Sequence, residues 1–192
     1  MEFEVTVMSG AGNIFSVIDN RKYNLPIDFF SKYASQICKT SFEGKTTEGL
    51  LVLENQTSQN EVDVLVRFFN PDGSYGMMCG NGGRCAVLFA LNNGFIKDSN
   101  KQIVLDVWGS KYISKFNNDK IQVDFPPPNE IILNKSIKID NKQIIGDYVD
   151  VGSPHFLIDF SFIESGIGTD FYDFALKEFA KKIRNHDVFK PN

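Results

Sequence analysis

A chain of 192 residues with 42% hydrophobic and 23% charged residues has room for one large domain or two small ones and an ordinary globular composition. A net charge of -4 and a sequence pI near 5.2, with no local cluster of lysine and arginine, argue against a nucleic-acid binder. No basic segment leads into a long apolar run and no apolar stretch is long enough to span a bilayer, so neither signal peptide nor membrane span is expected; three cysteines, an odd and low count, fit a reducing cytoplasm better than a disulfide framework.

Phe3, Val5 and Val7 alternate with polar residues, which predicts a half-buried strand. Gly10-Ala11-Gly12-Asn13 breaks it, and residues 15–19 predict a second strand. From Ile27 the period becomes helical, with Phe30, Tyr33, Ala34, Ile37 and Cys38 on one face and Pro26 and Asp28 near the start. Residues 50–53 form a short apolar strand. Residues 61–69 form a clearer one, with Val62, Val64, Val66 and Phe68 on one side and Leu65 and Phe69 on the other, so both of its faces are expected to be covered. Asp72-Gly73 is a turn signal.

Cys79 then opens a glycine-rich run, Gly80-Asn81-Gly82-Gly83, ahead of the apolar stretch 85–91, which stops at Asn92-Asn93-Gly94. That stretch is apolar all round. Glycines upstream and a C-cap-like stop favour a buried helix over a buried strand. Three strands follow over 102–108, 111–116 and 121–125, with Asn117-Asn118-Asp119 turning between the last two. Pro126-Pro127-Pro128 is the best boundary in the chain, because proline cannot sit inside a ladder. Beyond it, strands are expected over 131–133, 136–139, 148–151 and 156–160, then an amphipathic helix over 171–184. Tyr172, Leu176, Phe179 and Ile183 are in register there, with Asp170 and Asp173 at its start and Lys181, Lys182 and Arg184 at its end.

Several familiar motifs fail on spacing. Gly44-Lys45-Thr46 resembles the tail of a P-loop, but Lys39 occupies the required glycine position. Gly80 and Gly82 begin a G-x-G-x-x-G pattern that ends on Cys85. Two histidines, His155 and His186, with no C-x-x-C pair, do not make a zinc site. No G-x-S-x-G occurs. Cys79 is the best reactive group. A lone cysteine is ordinarily a small buried hydrophobe, but here the neighbouring glycines leave backbone N–H groups open at a helix start. Such a place stabilises a thiolate and can hold a carboxylate. Asn70 and Asn81 supply either fixed polar contacts or simple turn chemistry. Cys38 and Cys85 read as core thiols.

The run FFNPDGSYGMMCGNGGRC around Cys79 resembles the first active-site segment of the diaminopimelate epimerase family. GAGNIF at Gly10, GLLVLE at Gly49 and GSPH at Gly152 are similar, in the same order, to further signature segments of that family, so the resemblance covers most of the chain. It implies an α+β fold of two similar domains, each a curled, mostly antiparallel sheet around a central buried helix. It implies a cofactor-independent isomerase, interconverting LL- and meso-diaminopimelate in lysine and cell-wall precursor synthesis. Two cysteines face each other across the substrate α-carbon; one thiolate removes the α-proton and the opposite thiol returns one. Carried over by position, Cys79 is one base and His155 tunes the cysteines' ionisation. Gly80 and Asn81 hold the α-amino-acid end, and Asn13, Asn70 and Ser153 contact the substrate. The partner implied is the small-molecule substrate, with a homodimer possible in the family.

The sequence departs from that pattern in places. Ile14 follows Asn13 where the family has an acidic residue. Ser153 stands where the family often has an asparagine, and a hydroxyl has a shorter reach. Lys45-Thr46-Thr47-Glu48 alters the segment before Gly49. The family's second cysteine loop and its Glu-Arg pair are absent. Residues 1–128 are therefore expected to form the first domain and 129–192 the opening of the second, cut before its central helix. The chain alone is not expected to epimerise. The rival readings are another cofactor-independent racemase or isomerase of the same fold, proline-racemase-like or phenazine-pathway-like, and a non-catalytic half acting as a binding module.

Overall fold

The structure is a computed structural model and describes residues 3–40, 45–56, 62–98, 101–118, 120–161 and 176–189. Glu61, Asp119, and Asp170 through Asp173 of the expected last helix lie outside the described residues. The chain forms two compact units, residues 1–126 and 127–192, which divide inside the proline run.

The first unit holds a seven-stranded sheet whose spatial order is the chain order: β1 (Thr6–Gly10), β2 (Asn13–Asp19), β3 (Gly49–Glu54), β4 (Val64–Phe69), β5 (Ile103–Val107), β6 (Ser110–Asn117) and β7 (Lys120–Asp124). The β2–β3 and β4–β5 pairs are parallel and the other pairs are antiparallel. Parallel neighbours need a crossover, and a helix supplies each: α1 (Ile27–Thr40) between β2 and β3, α2 (Gly80–Asn92) between β4 and β5.

The two helices cover opposite faces of the sheet. Phe15, Val17, Leu51, Leu53, Val64, Val66 and Phe68 pack with Cys85, Ala86, Val87, Phe89 and Ala90 of α2. Ile18, Leu50, Val52 and Phe69 pack with Phe30, Ala34, Ile37 and Cys38 of α1. The unbroken run Leu50-Leu51-Val52-Leu53 follows from this, because alternate residues of β3 enter different cores. Each such side chain, fully withdrawn from water, contributes roughly 1.5–3 kcal/mol. Beyond the reach of α1 the outer face turns polar: Arg67 of β4 pairs with Glu54 at 3.5 Å and with Asp106 of β5 at 3.3 Å. Helix α2 also packs on β1 and β7, the two edge strands, so the sheet curls around it.

Several boundaries differ from the sequence reading for identifiable reasons. Gly10 and Asn13 belong to strands, and the turn between them is only Ala11-Gly12, both at positive φ (49° and 92°). Trp108, expected to close a strand, is instead a turn residue at φ 52° beside Gly109 at 87°. Paired positive φ values mark tight hairpins whose twist matches the flanking strands. The glycine run lies within the first turn of α2, which begins at Gly80 with Cys79 as its N-cap. The helix ends in a Schellman motif: Phe95 N–H bonds to Ala90 C=O at 2.9 Å, and Gly94 N–H to Leu91 C=O at 3.4 Å.

In the second unit, β8 (Glu130–Ile139) is one long strand where two were expected. A bulge between Ile132 and Lys135, with Asn134 at φ 54°, breaks its alternation. Its partner β9 (Lys142–Asp150) starts earlier than expected, directly after an Asp140-Asn141 turn with φ of 48° and 66°. The sheet order is β10-β9-β8, with β10 spanning Pro154–Leu157. Ile137, Ile139 and Ile144 form its small core, which Phe179 and Ile183 of α3 (Leu176–Arg184) flank. Among the described residues no helix is long and apolar enough to cross a membrane.

Burial pushes the Cys85 thiol up to about 11, against a smaller opposing pull from Arg84. The unfolded chain gives up this proton near the ordinary thiol pKa, roughly 8.5, while the folded chain keeps it, so stability is full below that value and falls as pH rises. The expected loss from Cys85 is on the order of 3 kcal/mol between roughly pH 8.5 and about 11. Urea unfolding across this window should show a shallower alkaline decline for Cys85→Ala than for wild type; equal slopes would contradict the assignment.

Candidate active site

The loop from β4 to α2 carries Asn70 and Cys79, and it is tied at both ends. Asn70 N–H donates to Ser74 C=O and Gly73 N–H to Asn70 C=O, both at 2.9 Å. Asp72 Oδ1 accepts the Ser74 hydroxyl at 2.6 Å and the Ser74 N–H at 2.9 Å. Those two bonds, the hydroxyl first, lower the Asp72 pKa. Ser31 of α1 donates its hydroxyl to Gly73 C=O at 2.7 Å. A Cβ on Gly73, which has φ +87°, would lie 2.2 Å from Ser31 O, so only glycine fits. Farther along, Phe68 C=O accepts from both Gly76 N–H at 2.8 Å and Trp108 Nε1–H at 3.1 Å. Tyr75 stacks on Trp108 with ring centroids 4.3 Å apart.

This delivers Cys79, half-buried, to the N-terminus of α2. The first bond of the helix ladder runs from Gly83 N–H to Cys79 C=O at 2.7 Å. The N–H groups of Gly80, Asn81 and Gly82 precede that ladder, and the Cys79 side chain does not cap them. A void of about 10 Å³ beneath Cys79 is walled by Phe68, Met78 and Gly82 among others. It holds one water at most, so a substrate must approach from the outer side. There the Phe125 ring stands 3.4 Å from the position a Cβ on Gly80 would take.

Two further elements meet this helix start. A Cβ on Gly10 would lie 2.5 Å from Asn81 O, so the end of β1 touches the backbone of α2. That contact places Asn13, paired with Gly10 in the hairpin, beside Asn81. Asn81 Nδ2 donates to Asn13 Oδ1. The chain of bonds continues both ways: Arg84 Nη2 donates to Asn81 Oδ1, and Asn13 Nδ2 donates to Glu48 Oε2. Glu48 is held in place by its own N–H, which bonds to Ile14 C=O at 2.7 Å. Arg84 and Glu48 escaped the sequence reading. The available signal was that Arg84 is the single charge in an otherwise neutral α2.

The other predicted site residues are placed differently. The Asn70 amide turns into its own loop, with Nδ2 donating to Ser74 Oγ at 2.9 Å. Ser153 and His155 belong to the second unit, at the turn between β9 and β10. His155 Nδ1 lies 2.6 Å from Ser153 O. A carbonyl only accepts, so Nδ1 is the donor in this bond. His155 borders a groove of about 520 Å³ with Tyr148, Phe156, Ile183, Arg184 and Phe189. Among the described residues no group of three or more His, Cys, Asp or Glu is arranged to hold a metal.

Cys38 and Cys85 are both buried. Burial raises the Cys38 thiol pKa, against hydrogen bonds with Thr47 and Ser16 that pull it down. Iodoacetamide near pH 7.5 should therefore label Cys79 first, as read by peptide mass spectrometry; equal labelling of the three would remove Cys79 as the accessible nucleophile. Gly10→Ala should separate β1 from α2, costing about 1–3 kcal/mol as an overpacked contact. Its unfolding midpoint would be unchanged if that contact were only incidental.

The family model for diaminopimelate epimerase matches residues 5–129 of this chain. The diaminopimelate epimerase of Aquifex aeolicus is 30% identical over 193 residues, covering 96% of this chain and 64% of that protein. The Pelagibacter ubique enzyme of the same name is 32% identical, over 98% of this chain and 68% of its own length. The chain thus spans about two thirds of the length of these curated relatives. Among solved structures, a probable proline racemase from Agrobacterium radiobacter superposes with a TM-score of 0.66 at 15% identity, over 96% of this chain and 61% of that one. The fold, a curled mixed sheet around a buried helix, is shared with these isomerases, and by sequence the chain belongs to the diaminopimelate epimerase family.

Proposed function

We propose that the site at the start of α2 binds the α-amino-acid end of diaminopimelate, and that Cys79 exchanges the α-proton on one face of its carbon. The observation that carries this reading is the bond between Asn13 and Asn81. These side chains are 68 residues apart in sequence and meet at a position two residues beyond a half-buried thiol.

The chemistry is a proton transfer without redox change. The Cys79 thiolate takes the α-proton, breaking C–H and forming S–H, and the electron pair stays on the substrate, spread into its carboxylate. The barrier lies in that accumulating negative charge. Backbone N–H groups ahead of the helix ladder are fixed dipoles aimed at such charge and need no reorganisation as it forms. Gly80 and Asn81 supply them, and Asn13 orients the rest of the molecule; the family resemblance further assigns a substrate contact to Asn70, whose amide nitrogen is held by Ser74, and, on the second unit, a contact to Ser153 and the tuning of thiol ionisation to His155. Return of the proton to the same face regenerates the substrate. Inversion needs an acid on the opposite face. Cys38 and Cys85 cannot provide it, since each is buried in a core on a different side of the sheet. The chain of 192 residues is thus proposed to hold one half of a two-base site and not to invert its substrate unaided.

The absence of a second available thiol also favours the reading as a binding module without catalysis. One experiment separates them. Purified chain is incubated with LL-diaminopimelate in deuterated water, and NMR follows α-deuteration and meso product. The expected outcome is slow α-deuteration without meso product, abolished by Cys79→Ala. Binding without deuteration would leave only the module. Meso product at an enzyme-like rate would show that the opposite acid lies within these 192 residues.

A further inference from the structure

We infer that Glu48 and Arg84 are positioning residues that lock the amides of Asn13 and Asn81 in one orientation, presetting the site for a zwitterionic α-amino acid. The inference rests on the amino-acid-binding reading above and extends it to two residues outside the proposed catalytic and contact set. Its basis is the direction of the bond chain from Arg84 to Asn81 to Asn13 to Glu48.

A carboxamide is nearly symmetric in shape and can flip, exchanging donor for acceptor, at little steric cost. A flip is prevented only by what it faces. A guanidinium donates and never accepts, so the atom of Asn81 that faces Arg84 must be Oδ1. An ionised carboxylate accepts and never donates, so the atom of Asn13 that faces Glu48 must be Nδ2. Between them Asn81 Nδ2 meets Asn13 Oδ1, the arrangement that satisfies both ends at once. Flipping either amide would set N–H against N–H or oxygen against oxygen at two contacts together. Bonds to charged ends are also the stronger kind.

Glu48 is exposed, but the backbone that carries each of these side chains is fixed. Asn81 is fixed by the backbone contact with Gly10, Asn13 by the hairpin register, and Glu48 by its N–H bond to Ile14. Arg84 lies one helical turn from Asn81 on the side of α2 away from the core, in line with Leu88, which is 38% exposed. Each locked amide retains one N–H and one oxygen lone pair. The N–H groups suit a carboxylate and the lone pairs an ammonium, and an α-amino acid offers both on one carbon. A site without the two charged ends would hold amides free to flip, and its discrimination against a 2-hydroxy acid would fall.

The test uses the whole chain, the variants Glu48→Gln and Arg84→Gln, and the rescue variants Glu48→Asp and Arg84→Lys. Glutamine at either end can donate or accept, so it releases the direction, and at position 48 it does so at constant size. Side-chain amide NMR of the ligand-free protein should show the Asn81 resonances shifting in Glu48→Gln and the Asn13 resonances shifting in Arg84→Gln. Each effect is transmitted through the intervening amide, which a merely local structural role would not produce. Asp and Lys should return them towards wild type. Titration with LL-diaminopimelate should weaken about tenfold in each Gln variant, the loss of roughly one charge-assisted hydrogen bond, with the unfolding midpoint unchanged. Amide signals that ignore the remote substitution overturn the relay. Failure of the wild type to bind LL-diaminopimelate overturns the substrate assignment, while the amide shifts still judge the relay.

Discussion

A helix that is apolar on nearly every side has to be enclosed, and the first unit is built around that constraint. Cys85, Ala86, Val87, Phe89 and Ala90 of α2 are all buried, and a flat sheet would cover only one side of them. The seven strands instead curl until both edge strands reach the helix. Curling in turn demands tight hairpins, and the paired positive-φ turns at Ala11-Gly12 and Trp108-Gly109 provide them. With its flanks enclosed, α2 is open to solvent at its two ends and along the line through Asn81, Arg84 and Leu88. Cys79 and the Asn81 side chain lie at the N-terminal end and on that line.

That arrangement explains why the site is assembled from backbone as much as from side chains. Gly10 can approach Asn81 only because it has no Cβ. The approach brings a hairpin from the first residues of the chain against a helix that forms some seventy residues later. Glu48 arrives through a third segment, held to β2 by its N–H bond to Ile14 C=O, by the Thr47–Ser16 hydroxyl contact and by the β3 pairing that starts at Gly49. Three stretches of low sequence proximity thus meet at one helix end. Each is fixed by an element that also serves the core, so the site is coupled to the same packing that holds the fold.

Much of this was legible in the sequence. The apolar strands β3 and β4, the buried helix and the division at the prolines all follow from patterns of apolar residues, glycine and proline, and the same patterns single out Cys79 as a candidate. What escaped was conformational detail with weak local signals. Trp108 gives no hint that it adopts a left-handed turn, because that conformation is imposed by its hairpin and by its bond to Phe68 C=O. The bulge at Ile132–Lys135 split one strand into two apparent ones, since an extra residue inverts the alternation on which strand reading rests. Nor does the sequence signal that the Asn70 amide nitrogen bonds to Ser74 within its own loop. The pairing of Glu48 with Arg84 through two amides depends on a tertiary meeting, and the sequence hints at it only through the lone charge of Arg84 in an otherwise neutral α2.

The helix N-terminus shows how stability and chemistry compete at this position. Serine or aspartate at the N-cap would satisfy one of the free N–H groups and stabilise α2 by about 1 kcal/mol. Cysteine does not, and Cys79 makes no such bond. The glycines that follow are poor helix formers, each costing roughly 0.8–1 kcal/mol relative to alanine in a helix interior. A sequence selected for stability alone would have neither feature. Both leave N–H groups unoccupied beside a thiol, and an unoccupied donor can be satisfied by a carboxylate from outside. The stability forgone at this turn is offset by the apolar burial along the rest of α2. The fold therefore keeps a buried helix and the uncapped N–H groups of its first turn in one element, with the core along its length securing the open N-terminal end.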